Sequence, residues 1–125
     1  MTELSLETRL DLIESGYEFL LAYAAQGLES DTQGGSGPKV RDILNDMLRG
    51  LTGIAAALPT DQESLKAFLA VLDGDAAKAG AAIGLVLSQP HISSQLVDNL
   101  NASIHLRALL TDLFLIDEAI KRSAS

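Results

Sequence analysis

Apolar residues return along most of this chain at alternating spacings of three and four, the period of a helix with one buried face. Leu6, Leu10, Ile13, Tyr17, Leu20 and Ala24 form the first such row. Ser5 precedes it as an N-cap, and Gly27 stands where a left-handed residue can close it, so the pattern predicts a helix from about residue 6 to 26. Leu12, Phe19 and Tyr23 add a second apolar row on an adjoining face. The arc to be covered is about half the circumference at 100° per residue, more than one neighbour can bury.

The stretch Leu28 to Pro38 has no period and is rich in turn formers, Gly and Ser above all, which predicts a flexible connection over 28–38. Pro38 then opens a second helix, expected to run to just before Pro59, with Val40, Ile43, Leu44, Met47, Leu51, Ile54 and Leu58 inward. Thr60 and Glu63 have the spacing of a capping box. They predict a short third helix with Leu65, Phe68, Leu69 and Leu72 buried, stopped at Asp73-Gly74-Asp75. The next segment, about Ala76 to Ser88, lacks a polar face and reads as a central fourth helix. Ala76, Gly80 and Gly84 form a small-residue ridge along it, suited to close backbone approach.

Beyond Pro90 the apolar face changes direction. Leu96, Val97, Leu100 and Ile104 point one way, and Leu106, Leu109, Leu110, Leu113, Ile116 and Ile120 point more than 100° away. The pattern predicts a break near Asn101 to Ser103, or else one long helix meeting different neighbours. Together these segments predict an all-α fold: a single domain, residues 1–125, built as an antiparallel bundle of about five helices.

Composition narrows the functional classes. The chain has no cysteine, so thiolate catalysis, disulfides and Cys-ligated metal are excluded. The acidic start lacks the pattern of a signal peptide, and the longest apolar run, Ala79 to Leu87, is far short of the roughly 20 residues of a membrane span. A cytoplasmic location without membrane insertion is the expectation. The formal net charge is −8. Residues 1–31 carry seven acids and one base, a net of −6, which makes nucleic acid a poor partner and a basic protein a better one.

No motif for catalysis or for a cofactor is present, and a non-enzyme without cofactor or metal is expected. Asp98, His105 and Asp112 share one line, but at seven-residue intervals each step is roughly 10 Å along a helix, too far for one metal. The expected activity is a protein-interaction module: an adaptor, assembly factor or regulatory subunit, with a second copy of the chain as one candidate partner. Its expected contact residues are the acidic stripe Glu7, Asp11, Glu14 and Glu18, together with the apolar Leu12, Phe19 and Tyr23 beside it. The alternative is a bundle holding a small apolar ligand among Tyr17, Phe19, Tyr23, Phe68 and Phe114.

Overall fold

The computed structural model describes residues 4–33 and 37–124, which form five α-helices: α1 (Leu6–Ala24), α2 (Gly37–Leu51), α3 (Glu63–Leu87), α4 (Ser94–Ala102) and α5 (Ile104–Ala124). A single 3₁₀ turn, Ile54–Ala57, lies between α2 and α3. The fold is the expected all-α bundle. The Gly-rich residues 34–36 of the 28–38 connection lie outside the described residues.

Ser5 caps α1 as its sequence suggests, its Oγ accepting from the Thr8 amide at 3.1 Å. Gly27 takes a left-handed φ of 69° after the helix end. The wide apolar arc of α1 is covered from two sides, by α2 and by α4, both antiparallel to it. Leu10, Ile13, Leu20 and Tyr23 are buried there.

The second helix is shorter than its apolar row. Gly53, at φ 75°, turns the chain into a left-handed conformation that cannot continue a right-handed helix, and α2 ends at Leu51. Ile54 and Leu58 stay buried through the 3₁₀ turn, so the row continues where the helix does not.

The third and fourth expected helices are one. Residues 63–87 form a single α-helix through Asp73-Gly74-Asp75. Its buried row, Leu65, Leu72, Ala76, Ala79, Ile83 and Val86, keeps one register across the glycine. One Gly inside a helix costs only about 1 kcal/mol, less than burying one large apolar side chain contributes. Nor does the capping box form: the N-cap is Gln62, without a side-chain bond. This helix is not enclosed all round either, since Leu85 is 65% exposed.

Close backbone approach occurs mainly between α1 and α2, not along the small-residue ridge of α3. A β-carbon at Gly16 would stand 2.5 Å from Met47 Cγ, whereas one at Gly84 would meet nothing within 4 Å. Gly80 is intermediate, 3.2 Å from Leu51 Cδ1. Gly16→Ala is therefore expected to cost about 1–3 kcal/mol, because Met47 is wholly buried and must move. Gly84→Ala should instead stabilise by about 0.5–1 kcal/mol. Urea unfolding of the two variants distinguishes these outcomes; equal effects would contradict the packing described.

The predicted break is found at Ser103, whose extended backbone (ψ 144°) separates α4 from α5. Ser103 Oγ accepts from the Leu106 amide at 3.3 Å and starts the new helix. Asn101, buried just before the break, donates through Nδ2 to the Leu20 carbonyl at 3.2 Å and ties α4 to α1.

Two buried charges fasten the ends of the bundle. Arg9 is 8% exposed and directs its guanidinium at the end of α2, where Nη1 donates to the carbonyls of Gly50 at 2.9 Å and Thr52 at 2.6 Å. A cation is favoured at that end by the helix dipole. At the other end Asp31, 6% exposed, accepts from Arg41 Nε at 2.6 Å and from the Ile92 amide at 2.8 Å. Arg41 in turn donates to the carbonyls of Leu87 and Gln89, and Tyr23 Oη donates to the Ile92 carbonyl at 2.7 Å. The segment after α1, the start of α2 and the segment after α3 are thus held by one polar network.

Candidate functional site

α3 and α5 lie antiparallel, with Leu65 and Leu72 on one helix and Leu109, Leu113 and Ile116 on the other buried in the bundle. The outer edge of this joint is not closed. Ser64, Leu65 and Phe68 of α3 and Leu115, Ile116 and Ala119 of α5 line an open-sided groove of about 260 Å³, almost entirely apolar. Leu115 is 57% exposed on its rim, and Val71, one turn beyond Phe68 on α3, is 47% exposed. Phe114, also 57% exposed, carries the apolar surface round α5 away from the groove.

The acidic stripe of α1 approaches α5 from its other flank. Glu7, Asp11 and Glu18 are exposed and Glu14 is half-buried. Partial burial pushes the Glu14 carboxyl above its ordinary value, and the charges of Asp117 on α5 and Asp11 on α1 add to this, with Lys121 opposing. At 100° per residue, Asp117, Phe114, Glu118 and Leu115 follow one another round α5 from the α1 side to the α3 side. Acidic and apolar groups therefore alternate round the outer side of α5.

About one turn before the groove residues of α5, Asp112 is 6% exposed and lies within hydrogen-bonding reach of Asp75 on α3. Burial, then the hydrogen bond and charge of Asp75, push the Asp112 carboxyl up to about 7. Asp98 and His105 are exposed, on α4 and at the start of α5, so the line of three seen in the sequence does not converge on one place. Among the described residues no three His, Asp or Glu side chains gather as a metal site.

The apolar residues expected beside the acidic stripe have other places. Tyr23 is wholly buried, its hydroxyl committed to Ile92, and is corrected from contact surface to core. Phe19 is half-buried and stacks on Tyr23 with ring centroids 6.4 Å apart. Leu12 is half-buried where α1 approaches Gly50, its Cβ 3.4 Å from the place a β-carbon on Gly50 would take. The five aromatics are dispersed: Tyr23 is in the core, Phe114 is exposed, and Phe68 alone of the five borders the α3–α5 groove. The groove itself was legible only indirectly. Phe114 and Leu115 fall off the register of Leu106, Leu109, Leu113, Ile116 and Ile120, which marks them as apolar residues without an inward position.

No protein family matches the chain, and neither a curated protein nor a solved structure is significantly similar to it. Among the described residues no helix is long and apolar enough to cross a membrane.

Proposed function

We propose that this chain is a protein-interaction module whose α3–α5 groove takes the apolar anchor of a basic partner segment. The observation that carries the reading is Leu115, 57% exposed on the rim of an apolar groove where large side chains are ordinarily turned inward. The choice of a basic partner rests on charge: a chain of net charge −8 repels a second copy of itself and attracts a cationic segment. The partner's apolar side chain would fill the groove, with Lys or Arg near it drawn by the net negative charge of the chain.

A small apolar ligand fits less well. Pockets that enclose such ligands run from roughly 300 to 1,000 Å³ and cover most of the ligand, whereas this groove is smaller and open along one side.

Leu115→Asp tests the reading. As a surface substitution it should change unfolding free energy by no more than about 0.5 kcal/mol, yet weaken a purified partner at least about tenfold in calorimetric titration. A partner bound equally well by the variant contradicts the proposal. Self-association in sedimentation velocity that disappears in Leu115→Asp would replace the basic partner with a second copy of the chain.

A further inference from the structure

Asp75 lies within hydrogen-bonding reach of Asp112 across the α3–α5 joint. Asp112 Oδ2 is sealed from solvent and receives no hydrogen bond from any N–H or hydroxyl group. Along α5 its surroundings are the buried Leu109, Leu113 and Ile116, and across the joint α3 presents the buried Leu72, Ala76 and Ala79. Asp112 is buried there while Asp75 is only half-buried. A bare carboxylate on Asp112 would lack solvation and be repelled by that of Asp75, so the stable arrangement keeps a proton on Asp112, which donates to Asp75.

We infer that this pair is a proton-dependent clasp: a proton held between Asp112 and Asp75 fastens α5 to α3, and its release loosens the joint and the groove wall beside it. The groove's role as a docking site is the separate reading given above, and the clasp depends on the pH response of the chain alone.

The charged groups around the pair do not supply a substitute for the proton. On α3 Asp73 and Lys78 are exposed, on α5 His105 and Arg107 are exposed, and on α4 Asp98 is exposed. Glu14 of α1 faces Asp117 and Lys121 further along α5. Of all these charges, the one that acts on Asp112 is that of Asp75.

The direction of the pH effect follows from Asp112 holding its proton up to about 7 in the fold, against an ordinary value of 3.8. Between those values the folded chain keeps a proton that the unfolded chain releases, so stability falls as pH rises. One such group lowers the folding constant up to tenfold per pH unit, and close to a hundredfold between about pH 5 and pH 8.

The test is urea unfolding of the full chain across that range, for wild type, Asp112→Asn and Asp75→Asn. Wild type should lose stability toward alkaline pH. Asp112→Asn should remove that slope and exceed wild type at about pH 8, because its amide donates to Asp75 without needing a proton. Asp75→Asn should move the transition to lower pH while leaving part of it, since burial, the larger cause, remains. This second variant decides the question if Asp112→Asn folds poorly. Hydrogen exchange, corrected for its intrinsic pH dependence, should report faster opening of 108–116 at the alkaline end in wild type only. A wild-type profile that is flat, or that Asp112→Asn and Asp75→Asn leave unchanged, overturns the clasp. So does stabilisation at the alkaline end by millimolar Mg²⁺ or Ca²⁺ that Asp112→Asn abolishes, which would make the pair a cation site.

Discussion

Asp31→Ala is expected to lower the unfolding free energy by about 3–4 kcal/mol. The carboxylate is 6% exposed and serves two donors at once, Arg41 Nε at 2.6 Å and the Ile92 amide at 2.8 Å. Truncation strands both: the guanidinium loses its counter-charge and a buried backbone N–H loses its acceptor. Because a third of the Arg41 side chain is solvent-exposed, part of the charge penalty is relieved by water, which places the effect at the lower end for a buried pair. Asp31→Asn should cost roughly half as much, since its amide oxygen can still accept from Ile92. The same pair has a pH signature. The Arg41 hydrogen bond, assisted by Ile92, holds the Asp31 carboxyl below its ordinary 3.8 despite burial. Its contribution is therefore complete above that value and is lost as pH falls through the folded-state value. Acid unfolding of wild type and Asp31→Asn should converge at low pH; parallel curves would contradict the assignment.

Arg9→Met should cost about 3 kcal/mol in the same measurement. Methionine keeps much of the apolar stem but removes the donors that serve the carbonyls of Leu4, Gly50 and Thr52. Two of those carbonyls end α2, where few backbone donors remain to satisfy them. Removing a buried cation also relieves its desolvation, which keeps the net loss below the sum of the broken bonds. Arg9→Lys is the informative companion. A single ammonium cannot serve both the start of α1 and the end of α2, so it should recover about half of the loss. Full recovery would mean that charge near the helix end, and not the forked geometry, is what matters.

Both residues show why part of this fold was hidden in its sequence. Arg9 and Asp31 enter there only through the charge count of residues 1–31. In the fold both are buried, and each has a partner far along the chain, 41 residues away at Gly50 for Arg9 and 61 away at Ile92 for Asp31. Nothing in local spacing encodes such pairings. Local signals served well where the determinant was itself local: Ser5 caps α1, Ser103 breaks the last segment, and the wide apolar arc of α1 has two neighbours. They failed at Asp73-Gly74-Asp75, where three residues with the chemistry of a stop were outweighed by a buried row extending from Leu65 to Val86.

The candidate site followed the same division. The acidic stripe of α1 is solvated, apart from the half-buried Glu14, because nothing apolar interrupts its face. Tyr23 sits beside it in sequence and in the core in space, since its hydroxyl has a carbonyl acceptor from the segment following α3. The groove of Phe68 and Leu115 joins two helices distant in sequence, and only the inconsistent register of Phe114 and Leu115 hinted at it. Asp112 stood out in the sequence for its spacing from His105, yet its consequential neighbour is Asp75.

The docking role of the α3–α5 face is tested most directly by covalent mapping. A photoreactive benzophenone side chain is placed at position 115, on the groove rim, and as a control at position 21, where Leu21 of α1 is also about half exposed. On illumination in an extract of the native host, position 115 should give a discrete adduct whose crosslinked peptide carries Lys or Arg near an apolar residue, and position 21 should not. The same adducts from both positions, or none from position 115, would contradict the account.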